Sequence, residues 1–142
     1  MTAAQGTGGE RAGTGHAGEP DPSPYRVQLI RTYTHVLLCV SGELDLATAP
    51  CLLQDLQRAL AVAAAGQPIV IDLGQVRFCD LVGLAALAAA ARAGDTEHCV
   101  GFVAGVDGAG NLRQLLELLE RVGRPNPLPL YPSLSACPIA AR

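Results

Sequence analysis

The chain has 142 residues, of which 49% are apolar, and a formal net charge of −3. A chain of this length and composition can bury the core of one domain but not of two. All 10 basic side chains are arginines and they are scattered along the sequence, so no basic patch is available for nucleic acid. We therefore expect no binding to DNA or RNA.

The cysteines and the start of the chain indicate a cytoplasmic protein without membrane insertion. The cysteines are odd in number and well spaced, which favours reduced thiols, at Cys39, Cys51, Cys79, Cys99 and Cys137. The first residues lack the basic and apolar segments of a secretory signal. The longest apolar run, residues 84–91, is far too short to cross a bilayer.

Residues 1–24 are rich in glycine, alanine, threonine and proline and contain almost nothing that could be buried. This composition predicts a disordered tail, followed by one folded domain at residues 25–142. The pattern G-x-G-x-x-G occurs at residues 13–18, but no strand pattern precedes it and no helix pattern follows it. It therefore does not indicate dinucleotide binding.

The first half of the domain predicts a strand pair and a helix. Residues 25–30 and 35–40 are rich in strand-forming side chains, and an antiparallel pair is the preferred interpretation. Thr48 is expected to cap the following helix, which should end near Gly66. The apolar stripe of this helix recurs at helical spacing, at Leu52, Leu53, Leu56, Leu60 and Ala63.

The centre of the domain reads as a strand, a loop and a helix. Residues 69–73 form a short run rich in β-branched side chains that suits a strand buried on both faces. Residues 84–92 form an alanine and leucine run that suits a helix. Asp80 lies in the loop between them, where its carboxylate can accept hydrogen bonds from the first turn of the helix.

The second half repeats this alternation. We predict a strand at residues 99–104, a helix at residues 111–122 with a capping box of Asn111 and Gln114, and a last strand at residues 128–131. A weak final helix, shortened by Pro138, should follow. The fold class is therefore α/β, with a mixed, mostly parallel sheet of about 4–5 strands and about four helices.

The residues that could carry chemistry do not form a catalytic or metal-binding pattern. His16, His35 and His98 have no ligand at helical spacing, and no C-x-x-C pair occurs. A carboxylate pair of Glu43 and Asp45 has no histidine, cysteine or serine placed beside it. A phosphate-binding P-loop requires a lysine, which the chain lacks. We expect no enzyme activity, no cofactor and no metal.

Two segments, Gly42-Glu43-Leu44-Asp45 with Thr48 and Asp80-Leu81-Val82-Gly83-Leu84, resemble the STAS domain family of bacterial anti-sigma factor antagonists. The resemblance covers roughly residues 25–135. In the family the second segment reads Asp-Ser-Ser-Gly-Leu, and a partner kinase phosphorylates the first serine. Here Leu81 and Val82 stand at the two serine positions, and residues 49–95 contain no hydroxyl side chain. The resemblance thus implies a domain that cannot be phosphorylated at the usual place.

The resemblance also implies a function. It predicts a non-enzymatic domain that binds an anti-sigma factor of the histidine-kinase-like type and so regulates sigma-factor-dependent transcription. The implied partner-binding residues are Gly42, Glu43, Asp45, Thr48, Asp80, Leu81, Val82, Gly83 and Leu84. From the sequence, Leu81 and Val82 could equally be core residues or an exposed contact.

Two alternative functions are kept. The first is a STAS-like subunit of another assembly, such as a lipid-transport complex or a stressosome-like scaffold, in which phosphorylation is not used. The second is a small nucleotide-binding α/β domain, which the absence of lysine disfavours.

Overall fold

A computed structural model of the chain describes residues 25–94 and 98–138. The predicted tail at residues 1–24, with His16 and the glycine pattern, lies outside the described residues.

The described part of the chain contains one sheet and three helices. The strands are β1 (Tyr25–Arg31), β2 (Val36–Leu44), β3 (Ile69–Cys79), β4 (Val100–Val103) and β5 (Leu130–Tyr131), and the helices are α1 (Ala49–Val62), α2 (Leu81–Ala93) and α3 (Leu112–Arg121). The strands follow one another across the sheet in chain order. β1 is antiparallel to β2, and every other pair is parallel.

This architecture confirms the predicted α/β fold with a mostly parallel sheet. The number of helices was overestimated, because the described residues after β5 form only turns. In this segment the N–H groups of Ala136 and Cys137 donate to the carbonyl groups of Ser133 and Leu134. A run of this length before Pro138 has too few residues to propagate a helix.

The main core lies on one face of the sheet. Strand residues alternate between the two faces, and in β2 every second side chain from Val36 onward is buried. These side chains pack with those of β3, β4 and all three helices, and the largest fully buried members include Leu38, Leu52, Ile71, Leu87, Phe102 and Leu112. Each such side chain contributes roughly 1.5–3 kcal/mol when it is buried. On the opposite face Val70, Val103 and Cys137 form a smaller cluster.

β3 extends well beyond the residues that pair with β4. The last pair along these two strands is Asp72 with Val103. Beyond it the segment that follows β4 lies beside β3, because the N–H of Ala109 donates to the carbonyl of Gly74 at 3.4 Å. The absence of a side chain at Gly108 permits this approach, since a Cβ there would lie 2.8 Å from the same carbonyl oxygen.

None of the helices in residues 25–94 and 98–138 is both long enough and apolar enough to cross a membrane.

A buried carboxylate joins β1 to α1. Asp55 is almost fully buried, accepts a 2.8 Å hydrogen bond from the Tyr25 hydroxyl and pairs with Arg58 at 2.9 Å. A buried charge is costly unless it is paired and hydrogen-bonded, so the Tyr25 hydroxyl offsets part of the desolvation of Asp55.

We expect Tyr25→Phe to lower the free energy of unfolding by about 1.5–3 kcal/mol, since it removes a hydrogen bond to a charged group. Urea denaturation of the full chain measures the loss. Tyr33→Phe is the matched control, because Tyr33 is fully exposed in the turn between β1 and β2. Equal stability of the two variants would contradict this account of Asp55.

Candidate functional site

The two segments singled out in the sequence meet at the carboxyl ends of β2 and β3. Leu44 and Cys79 are neighbours in the register of these parallel strands. One residue further, the N–H of Asp80 donates to the carbonyl of Leu44 at 3.0 Å. Because the carboxyl ends of parallel strands lie at the same edge of a sheet, the loops that lead into α1 and α2 are brought side by side.

The first segment forms a hydrogen-bonded turn. The Thr48 hydroxyl donates to the carbonyl of Glu43 at 2.8 Å and accepts from the N–H of Asp45 at 2.9 Å. The Asp45 carboxylate accepts from the N–H groups of Ala47 and Thr48, at 3.0 and 3.2 Å. Both side chains are therefore used to hold the backbone of the turn, and Thr48 is buried.

This turn corrects the role predicted for Thr48. Thr48 does precede α1, but its side chain makes no capping hydrogen bond to the helix. Its hydroxyl is already engaged by Glu43 and Asp45, so it is not free to bond the first turn of α1.

Glycine is required at Gly42, which has a φ of 95° at an irregularity in the pairing of β2 with β3.

The predicted cap of α2 is confirmed. The Asp80 backbone is extended, and its carboxylate accepts a 2.8 Å hydrogen bond from the N–H of Gly83. A negative charge at this end of a helix is further favoured by the helix dipole. Asp80 thus fixes the point at which α2 begins, with Leu81 as its first residue.

Leu81 and Val82 face solvent. The sequence had left open whether they are core residues or exposed residues. Their exposed fractions are 64% and 42%, whereas the next two residues, Gly83 and Leu84, are buried. Neither Leu81 nor Val82 is a core residue. They form an aliphatic surface on the first turn of α2.

Gly83 brings this turn against β2. A Cβ at this position would overlap the carbonyl of Leu44 and lie 2.8 Å from the Cβ of Leu44. The backbone of α2 can therefore approach β2 so closely only with glycine here.

Asn111 has a role at this site that the sequence analysis did not predict. Its side-chain oxygen accepts from the N–H of Cys79 at 2.7 Å, and its side-chain nitrogen donates to the carbonyl of Cys79 at 2.8 Å. The side-chain amide of Asn111 therefore makes the two backbone hydrogen bonds that a neighbouring strand would make to Cys79, at a point that β4 does not reach. Since both its polar groups are engaged, Asn111 makes no side-chain cap to α3, and the predicted capping box is wrong. No local signal identifies a pairing across 32 positions in the sequence.

Three further exposed apolar side chains lie near the ends of the parallel strands. Leu46 is in the loop after β2, Phe78 is near the end of β3, and Val106 follows β4, with exposed fractions of 74%, 44% and 75%. The sequence offered a weak signal for them, since Leu46 and Val106 are apolar residues at turn positions.

The titratable groups in the described part of the chain do not form a reactive centre. Burial, together with the nearby Asp80 carboxylate, raises the pKa of the Cys79 thiol to about 12, so it stays protonated near neutral pH. The His98 ring nitrogen Nδ1 lies 2.8 Å from the carbonyl oxygen of Gln67, and His35 bonds the Thr34 hydroxyl at 2.8 Å. Within residues 25–94 and 98–138, no three side chains of the metal-ligating types come together. The geometry supports a contact surface.

Comparison with known proteins agrees with this geometry. The family model described as "Mlab, STAS domain" matches residues 28–124. Among solved structures, the crystal structure of an anti-sigma factor antagonist from Mycobacterium paratuberculosis is similar, with a TM-score of 0.61 and 31% sequence identity. The match covers 80% of this chain and 91% of that one. A search of curated proteins found no match.

The chain therefore belongs to the STAS domain family. The antagonist-like resemblance seen in the sequence is matched by a structural neighbour of that kind.

We expect Gly83→Ala to destabilise the domain by about 3 kcal/mol or more, because the added methyl group meets backbone that cannot rotate away. Thermal and urea unfolding measure the effect. Gly105→Ala is the control, since nothing lies within 4 Å of a Cβ at that position. A fully stable Gly83→Ala variant would show that α2 does not approach Leu44 in this way.

Proposed function

We propose that this chain is a non-enzymatic interaction domain that binds an anti-sigma factor of the histidine-kinase-like type and regulates sigma-factor-dependent transcription. The observation that carries the proposal is the exposure of Leu81 on the first turn of α2. A mostly exposed aliphatic side chain contributes little to the core, yet it offers a dry contact to another protein.

The nine residues of the site divide into two roles. Thr48, Asp45 and Gly42 hold the turn after β2, and Asp80, Gly83 and Leu84 set the position of α2. Contact with the partner then falls to Glu43, Leu81 and Val82, whose side chains are exposed or half-buried.

Phosphorylation does not switch this site in our proposal. A phosphate on the family's serine adds up to about two negative charges and disrupts a docked complex by repulsion and desolvation. Leu81 has no hydroxyl group, and the nearby Thr48 hydroxyl is buried and bonded within the turn. The partner kinase would bind the domain without modifying it, in the cytoplasm.

Binding energy would come mainly from apolar burial. Covering an exposed leucine contributes roughly 1.5–3 kcal/mol, which corresponds to a change in Kd of about 10- to 150-fold. Leu81 alone could therefore decide whether the complex forms at cellular concentrations. Charged residues at the rim would contribute more to the association rate than to affinity.

A second candidate is a STAS subunit of another assembly, such as a lipid-transport complex or a stressosome-like scaffold. The observation that favours it is the name of the matching family model, "Mlab", which differs from that of the structural neighbour. The same exposed turn of α2 would then bind a different protein.

We expect Leu81→Glu to abolish or strongly weaken the complex, because it places an unpaired charge in an apolar contact. The probe is a panel of purified histidine-kinase-like anti-sigma factors encoded in the same genome, each titrated by calorimetry against the full chain. The thermal unfolding midpoint should stay within a few degrees, since a carboxylate is favourable in the first turn of a helix.

Leu118→Glu is the matched control, as Leu118 is an exposed leucine on α3, away from α2. It should bind like the original chain. If no anti-sigma factor in the panel binds the original chain, the proposal is overturned and the second candidate gains support. Unchanged binding by Leu81→Glu would place the docking surface elsewhere.

A further inference from the structure

Phe78 and Glu43 lie side by side on the face of the sheet opposite the main core. They are partners in the register of β2 with β3, and so are the next two residues, Leu44 and Cys79. Leu44 and Cys79 are fully buried in the main core. Because successive side chains of a strand point to opposite faces, Glu43 and Phe78 point away from that core. Neighbouring strands lie about 4.8 Å apart, so one ligand group can contact both side chains.

An irregularity in β3 gives Phe78 this direction. Gly42 pairs with Val76 and Glu43 pairs with Phe78, so Arg77 is an extra residue on β3. In a regular strand Val76 and Phe78 would share a face, but such a bulge shifts the alternation and redirects the side chain that follows it. Val76 is buried in the core, whereas Phe78 has an exposed fraction of 44%.

The backbone of both strands is held at this point. The Glu43 carbonyl accepts a 2.8 Å hydrogen bond from the Thr48 hydroxyl. The N–H and the carbonyl of Cys79, the residue after Phe78, bond the side-chain amide of Asn111 at 2.7 and 2.8 Å. Phe78 and Glu43 are therefore carried by fixed backbone, so little conformational entropy is lost when they bind a ligand.

The two side chains together suit a positively charged group. The face of a phenylalanine ring attracts a cation within about 6 Å of its centre, and a neighbouring carboxylate can pair with the same cation. Within residues 25–94 and 98–138, no hydrogen bond or ion pair engages the Glu43 carboxylate. Since nearly half of the Phe78 side chain is exposed as well, a cation from another molecule can reach both groups.

We propose that Phe78 and Glu43 together bind an arginine or lysine side chain of the partner. This inference rests on the proposed function, because the cation belongs to the same partner that contacts Leu81. Phe78 lies three residues before Leu81, and three residues span at most about 11 Å. One segment of the partner can therefore contact both places. The inference adds Phe78, which is not among the nine site residues, and it assigns a ligand to Glu43.

The ring is tested with the full chain and the anti-sigma factor that binds it in the panel described above. Phe78→Leu should raise Kd about three- to tenfold, because leucine is apolar but has no ring face for the cation. Phe78→Tyr should stay within about twofold of the original Kd, since it keeps the ring. Tyr33→Leu is the matched control, because Tyr33 is an exposed ring at the opposite end of β2 and its loss should leave Kd unchanged.

The carboxylate is tested on the same complex. Glu43→Gln should raise Kd by a similar factor and should reduce the dependence of Kd on salt between about 50 and 300 mM, since one screened charge pair is lost. Combined with Phe78→Leu it should raise Kd by less than the product of the two single effects, because both groups bind one cation. Glu117→Gln is the control, as Glu117 is an exposed carboxylate on α3.

The outcomes separate this inference from the function on which it rests. If Leu81→Glu abolishes binding while Phe78→Leu and Glu43→Gln each change Kd less than twofold, the cation site is overturned and the proposed function stands. If none of the three variants affects binding, or if no member of the panel binds, both are overturned.

Two further outcomes would also overturn the cation site. Single effects that multiply in the double variant would show that Phe78 and Glu43 do not share one ligand. Tighter binding by Glu43→Gln would show that the partner group is an anion. Phe78→Met replaces Phe78→Leu if the latter fails to fold, and the same rise in Kd is then expected.

Discussion

The close approach of α2 to the end of β2 is the contact on which the rest of this surface depends. Gly83 permits it, because any side chain there would overlap the carbonyl of Leu44. The Asp80 N–H closes the same junction by donating to that carbonyl, and the Asp80 carboxylate starts the helix. One small contact region therefore sets both the start of α2 and its distance from the turn before α1.

The side chains around this junction have two separate roles, since the polar ones hold the loops and the apolar ones remain exposed. Most polar side chains of the site form hydrogen bonds with backbone groups, as Thr48, Asp45 and Asn111 do. These bonds rigidify the loops, and the side chains left for a partner are mainly apolar. Rigid loops lose little conformational entropy on binding, so a modest apolar area can support useful affinity.

If Leu81 and Val82 stand at the family's serine positions, as we propose, the surface cannot be controlled by phosphorylation at these two residues. A hydroxyl at the start of a helix can accept a phosphate, and the added charge ends an apolar contact. An aliphatic side chain keeps the contact but removes that means of release. Control of this domain would then rest on the concentrations of the two partners or on a competing protein.

Local patterns in the sequence determined the element order, the mostly parallel α/β fold and the capping of α2 by Asp80. The elements and the cap depend on residues within one strand or one helical turn, and the alternation of strands with helices favours parallel pairing. The exposure of Leu81, the bonds of Thr48 within its turn and the pairing of Asn111 with Cys79 were decided only by the tertiary structure. The exposure of Leu81 and the pairing of Asn111 with Cys79 depend on how segments remote in the chain pack together. The bonds of Thr48 are local, but the path of the backbone between β2 and α1 decides whether its hydroxyl bonds the turn or caps the helix.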